Sequence, residues 1–535
     1  VHEPAGTVIK LSHGEILQND CFYNENLRKA KAEYTYISDG TKQVVSPHFT
    51  FYGFRYLKVE GIDGELNPDN FQAAVIFSDI AENGNFSSSN DKVNQLQSNI
   101  QWGLSGNFLD VPTDCPQRDE RLGWTGDAQV FFRTATFNRD VQNFFRKWLK
   151  DLALDQTEDG RVTDIVPNLN GLVGAGRVGW ADAATIIPWQ HYMAYGDKSI
   201  LEQQWESMKA WVDYVISQSP GYLWNTGWHY GDWLFYSENN DNAGNSAVTY
   251  TPLVQQCFFA NSATIMSKAA EVLGKDKDAA YYAEVARKAK EAFCENYLTP
   301  AGMLVSSTQT AYVLALNFDM LPENMRAKAA AHLAANVEKY GHITTGFLGT
   351  PYICHVLTKF GYNDLAYKLL LREQYPGWLY PVTMGATTIW ERWNSMMPDR
   401  TIPDNGMNSF NHYSYGAIGD WLYRDAVGLH ETSAGFKTMA IKPHPGADFT
   451  QMRAEQMTPY GRAAAEWRKQ GEEFILDVVI PVNTTAEVYV PSSSQGAVML
   501  DGVAADRSQH VKVKGYDAGY TLLEVGSGHY TFTAK

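Results

Sequence analysis

Between residues 141 and 152 apolar side chains return every three or four positions: Val141, Phe144, Phe145, Trp148, Leu149 and Leu152. That spacing is one face of an α-helix, and Asp140 stands where it can cap it. The same period runs through Ile200, Leu201, Trp205, Met208, Trp211, Val212 and Val215, which predicts a helix over 199–217. Alanine-rich stretches predict helices near 255–273, 279–297 and 323–340. Shorter helical patterns fall near 307–317, 344–358, 363–374 and 412–427. Val93, Leu96, Ile100 and Leu104 open the series. No fixed-period motif marks a solenoid.

The two ends of the chain follow another rhythm. Residues 49–59 are aromatic and partly alternating, as in a half-buried strand, and Gly61, Gly64, Asn67 and Pro68 supply turns behind them. Residues 83–90, rich in Asn, Ser and Gly, read as a polar linker. Residues 473–481 and 486–491 read as strands between Gly, Asp and Ser turns. The expected division is a β-domain over 1–85, a helical domain over 86–428 and a second β-domain over 429–535. The fold class is mainly α with flanking β.

Composition narrows the partners more than the fold. A formal net charge of −16 argues against nucleic acid or an anionic membrane. No apolar run reaches the length of a membrane span. The five cysteines are scattered, with no C-x-x-C pair, so neither a disulfide framework nor a zinc site is indicated. Cys115 reads as a packed, reduced thiol. Fifteen Trp and 30 Tyr suit a sugar-binding surface, but aromatic rings also fill cores. No signal peptide is visible, and the chain begins at Val1 rather than Met, which leaves a removed leader or a missing domain as expectations.

The densest chemistry lies in residues 114–127, Asp-Cys-Pro-Gln-Arg-Asp-Glu-Arg-Leu-Gly-Trp-Thr-Gly-Asp. Four carboxylates (Asp114, Asp119, Glu120, Asp127), Arg118, Arg121 and Trp124 share it with Pro116, Gly123 and Gly126, so it reads as a structured loop between helices. This segment resembles the signature of the bacterial α-L-rhamnosidases, glycoside hydrolase family 78. The resemblance extends from about residue 48 to the C-terminus. It implies that Glu120 is the general acid and that Asp114, Arg118, Trp124 and Asp127 hold the rhamnose ring. Asp119 competes with Glu120 on chemistry alone.

Glycoside hydrolysis needs a second carboxylate across the scissile bond. Glu391 is the candidate, in Trp390-Glu391-Arg392-Trp393, where a glutamate between two tryptophans is poorly solvated unless functional or paired. In the family this run carries the general base. Three further elements match pocket segments there: Trp180, Asp232 with Trp233, and His412, and Trp390 beside the base is counted with them as a substrate-binding residue. Sequence alone assigns these side chains to core packing, and only the resemblance moves them to the pocket.

The resemblance implies an (α/α)6 barrel between β-sandwiches, the first of them incomplete relative to the family. It implies an inverting exo-α-L-rhamnosidase that needs no cofactor and no metal. The substrate would be a rhamnose-containing glycoside, with no nucleic acid and no membrane insertion. A homodimer is one of several assembly states left open, and a bacterial periplasmic, secreted or cytoplasmic location is equally open. Two alternatives remain: another (α/α)6 glycosidase, and a carbohydrate-binding protein without turnover.

Overall fold

The computed structural model describes residues 1–169, 171, 174–236, 249–403, 406–446 and 448–535. Its centre is helical: α1 (Asp91–Asn107), α2 (Thr125–Asn138), α3 (Gln142–Asp155), α4 (Ala183–Tyr195), α5 (Ser199–Ser217), α6 (Thr251–Val272) and α7 (Asp276–Tyr297). Then come α8 (Gln309–Asn317), α9 (Glu323–Tyr340), α10 (Ile353–Lys359), α11 (Asn363–Leu370), α12 (Leu379–Thr383) and α13 (Ile418–Trp421). Consecutive helices pair as hairpins: α4 with α5, α6 with α7, α8 with α9, α10 with α11. Alternate helices touch in the order α2, α4, α6, α8, α10, α13 and back to α2, so the inner ring closes.

Position in that ring explains the burial patterns. The outer helix α3 buries Phe145, Trp148, Leu149 and Leu152 and leaves its other face polar. The inner helix α2 is buried at all fourteen positions. It therefore shows no apolar stripe, and periodicity could not reveal it. The segment expected to be helical near 344–358 is a turn until α10 begins at Ile353.

Three strands form the N-terminal sheet, with Val8–Gly14 central, antiparallel to Glu33–Ile37 and to Tyr56–Glu60. The strand expected over 49–59 begins only at Tyr56. Residues before it lie on the signature loop instead: a Cβ on Gly53 would come within 2.8 Å of Pro116. The Arg121 guanidinium sits 5.8 Å from the Phe51 ring centre.

The C-terminal region holds a five-stranded and a seven-stranded sheet. The supposed polar linker is an edge strand of the latter. Gly84–Ser88 pairs antiparallel with Gln451–Thr458, and only Phe86 of its five residues is buried. Its polar composition reflects that edge position. Among the described residues no helix is long and apolar enough to cross a membrane.

Candidate active site

The loops leading into the inner helices carry the site. Residues 114–124 precede α2, Trp180 precedes α4, residues 224–236 precede α6, residues 344–352 precede α10, and Glu391 and His412 precede α13.

The signature loop closes on itself through Asp114. The Leu122 N–H donates to the Asp114 carboxylate at 2.9 Å, and the Asp114 N–H donates to the Leu122 carbonyl at 3.0 Å. Gly123 lets the chain pass close to the next loop, since a Cβ there would lie 2.2 Å from the Val166 carbonyl oxygen. Arg118 is thereby held with no exposed surface. Its Nη1 and Nη2 donate to the two oxygens of Glu391 at 2.8 and 2.9 Å, a bidentate fork. Nη2 is also 2.9 Å from Glu120 and 3.4 Å from Asp114. One guanidinium therefore ties three of the predicted carboxylates together.

Two antiparallel backbone contacts bring Glu391 and His412 side by side. The Glu391 N–H donates to Ser409 at 3.0 Å, and the His412 N–H to Ile389 at 2.8 Å. His412 Nε2 stands 3.1 Å from Asp127, which also accepts from the Ser414 hydroxyl at 2.9 Å. The electrostatics separate the carboxyl groups. Burial alone would raise the Glu391 carboxyl, but Arg118 and His412 outweigh it and hold it below its usual value. Burial and the neighbouring Glu120 charge push Asp114 up to about 7, against the pull of Arg118 and His412. Burial lowers His412, but its bond to Asp127 and the nearby carboxylates win and raise it.

The predicted tryptophans gather around a tyrosine that sequence reasoning did not single out. Tyr230 lies 4.6 Å from Trp180, 5.6 Å from Trp233, 6.2 Å from Trp124 and 5.0 Å from Trp228, ring centre to ring centre. Its hydroxyl donates to Asp164 at 2.9 Å. Burial raises the Tyr230 hydroxyl, with Asp164 adding to it and Glu120 contributing, so the aromatic cluster lies within electrostatic reach of the carboxylates. The indole N–H groups of Trp124 and Trp180 and Nδ1 of His412 are buried with no partner among the described residues. Such groups are unusual in folded proteins and suit a ligand bearing hydroxyls.

Two of the predicted residues are held by the frame around the site. Asp232 is 1% exposed, and its carboxylate accepts from the N–H groups of Gly346, Leu348 and Gly349 at 2.8, 2.9 and 3.1 Å, and from the Thr310 hydroxyl. It organises the 344–352 turn, and its oxygens are committed there rather than to a sugar. Trp390 packs against Tyr380 and Phe410 in a small apolar cluster, so it supports Glu391 from the core side. Cys115 is buried and free, and burial raises its thiol well above the usual value, as a packed, reduced cysteine requires. Sequence reasoning also missed Glu15, Arg28 and Phe347. The Phe347 ring lies 5.3 Å from His412. None of the three sits in a motif, so only the fold reveals them.

Residues 81–426 match the bacterial α-L-rhamnosidase six-hairpin glycosidase domain. Residues 428–505 match the C-terminal domain of the same proteins, and residues 1–77 their concanavalin-like domain. An α-L-rhamnosidase from Formosa agariphila is 41% identical over 99% of this chain and 58% of its own length. One from Streptomyces avermitilis is 40% identical over 99% of this chain and 50% of its own length. The chain thus spans only about half the length of these relatives. The crystal structure of a Streptomyces avermitilis α-L-rhamnosidase complexed with L-rhamnose superposes with a TM-score of 0.94 at 39% identity, covering 100% of this chain and 50% of that one. On these matches and the fold beneath them, the chain belongs to the bacterial α-L-rhamnosidase family.

Proposed function

We propose that this protein is an exo-acting α-L-rhamnosidase that removes terminal α-L-rhamnose from glycosides with inversion at the anomeric carbon. Glu120 protonates the glycosidic oxygen and Glu391 activates the attacking water. Asp114, Arg118, Trp124, Asp127, Trp180, Trp233 and His412 hold the sugar. The observation that carries this reading is the Arg118 fork. It holds Glu391 ionised at the floor of the site, as a base must be, with Glu120 on the same guanidinium. Trp124, Trp180 and Trp233 supply apolar faces for the ring and its C6 methyl group, and the polar groups of Trp124, Trp180 and His412 that find no partner among the described residues supply partners for its hydroxyls.

Arg118 Nη2 is 2.9 Å from an oxygen of each glutamate, so those two oxygens lie within twice that distance of one another. A retaining pair stands about 5–5.5 Å apart and an inverting pair roughly 6.5–9.5 Å. That limit applies to one oxygen of each group; the carboxyl centres can stand further apart, which leaves the separation of an inverting pair open while Glu120 stays on Arg118.

The protein is expected to release rhamnose from p-nitrophenyl α-L-rhamnopyranoside and to leave the α-D-glucoside largely untouched. Proton NMR should show β-L-rhamnose first, with the α anomer growing in by mutarotation. Faster turnover of the glucoside would overturn the substrate assignment. Early α-L-rhamnose would make Glu391 a nucleophile rather than a base.

A further inference from the structure

The reaction outlined above uses no residue of the N-terminal sheet domain, yet that domain reaches into the carboxylate cluster. Arg28 Nε donates to Asp119 at 2.6 Å and its Nη2 donates to Glu120 at 2.9 Å. Its Nη1 donates to the Gly406 carbonyl at 3.3 Å. The side chains become steadily more exposed along this line. Arg118 and Glu391 are 0% and 3% exposed, Glu120 15%, and Arg28 and Asp119 26% and 31%. Arg28 thus meets the same Glu120 oxygen, Oε2, that Arg118 contacts, from the more exposed end of this line.

The backbone beneath Arg28 is built for that placement. Arg28 follows the short turn Glu25–Leu27 at φ 56° and ψ −113°, a conformation that costs a non-glycine residue on the order of 1–3 kcal/mol. Asn26 in the same turn has no exposed surface. Its Nδ2 donates to Glu15 at 2.7 Å and to the Asn408 carbonyl at 3.4 Å. Glu15 in turn accepts from the Phe410 N–H at 3.2 Å. The turn is therefore pinned by buried bonds to the 408–410 segment, which pairs with the backbone of Glu391.

We propose that the sheet domain forms part of the catalytic centre, with Arg28 a positioning residue that fixes the Glu120 carboxyl from the solvent side while Arg118 fixes it from within. This rests on the reading of Glu120 as the general acid. Two guanidinium contacts from different domains restrict the rotamers of a partly exposed side chain, and acid catalysis depends on such positioning. Asp119 takes the Arg28 Nε, so the guanidinium is itself held in orientation.

The test uses the whole chain and two substrates, p-nitrophenyl α-L-rhamnoside, whose leaving group needs no proton, and methyl α-L-rhamnoside, whose leaving group does. Arg28→Ala should lose about 10–100-fold in kcat on the methyl glycoside and less than about 3-fold on the aryl one, a fraction of the 10²–10⁴ that acid catalysis supplies. Arg28→Lys, which keeps the charge but not the fork, should show a smaller loss with the same contrast. Millimolar guanidinium should restore part of the methyl glycoside activity to Arg28→Ala, which a merely structural defect would not allow. Should Arg28→Ala fail to fold, Arg28→Lys carries the same comparison. Equal losses on both substrates, or none on either, overturn the inference if Glu120→Gln still shows the contrast. If Glu120→Gln shows none, the acid assignment itself falls.

Discussion

Arg118 is where the residue scale decides most. A fully buried guanidinium is tolerable only when its charge is matched, and it faces Glu391, Glu120 and Asp114, whose carboxyl is pushed up to about 7 by burial and the Glu120 charge. The two glutamates should respond differently to mutation. Glu120→Gln is expected to lose about 10²–10⁴-fold on substrates with poor leaving groups and far less on an aryl rhamnoside with an acidic phenol. Glu391→Ala should nearly abolish turnover on both, because in the proposed mechanism water attack loses its base. Steady-state kcat across a leaving-group series measures this, and a flat loss for Glu120→Gln would reduce that residue to a sugar contact. The charged members of the site were legible in the sequence because they cluster in two short runs, 114–127 and 390–393. Tyr230 lay inside an aromatic stretch, yet nothing local distinguishes a ring among four tryptophans from a core ring. Arg28 and Glu15 gave no signal at all, since their roles come from a tertiary approach.

At the scale of elements, the site depends on turns that the sequence disguises. Residues 344–352 carry enough apolar positions to imitate a helix, but Asp232 draws three of their N–H groups inwards and holds a turn instead. That turn presents Phe347 to His412. Asp232→Asn would set an amide N–H₂ against these N–H donors, leaving buried donors unmet at about 1–3 kcal/mol. The expected result is a lower unfolding midpoint together with a several-fold rise in KM on the aryl rhamnoside. A fall in midpoint with KM unchanged would separate the turn from the sugar pocket. Outer helices such as α3 and α5 were read correctly because one face meets solvent. The inner helix α2, buried on every side, and the edge strand Gly84–Ser88, polar on nearly every side, each lack the periodicity that marks their class.

The closed ring also buries charge away from the proposed active site, and there the whole molecule should become sensitive to pH. His355 on α10 meets Asp420 of α13 at 3.2 Å and bonds to Asp425 in the following turn, Leu422–Val427. Arg424 and Arg133 lie 3.5 and 4.0 Å from Asp420, and Glu431 pairs with Arg133 at 2.8 Å. Burial alone would lower His355, but the two aspartates prevail and push it up to about 9. Burial would raise Asp420 and Asp425, yet the cations around them hold both below their usual values. The native state therefore binds the His355 proton more tightly than the unfolded chain, whose histidines titrate near 6.5. The resulting stabilisation is fully present below about pH 6.5 and drains away as pH rises through about 9. His355→Gln should accordingly lower the unfolding midpoint by about 2–4 °C at pH 6. At pH 10 the gap between wild type and variant should nearly close. Thermal scans at one fixed rate across pH 6–10 measure that gap directly, and one that stays constant over the range would mean that the His355 imidazole stitches α10 to α13 without its charge.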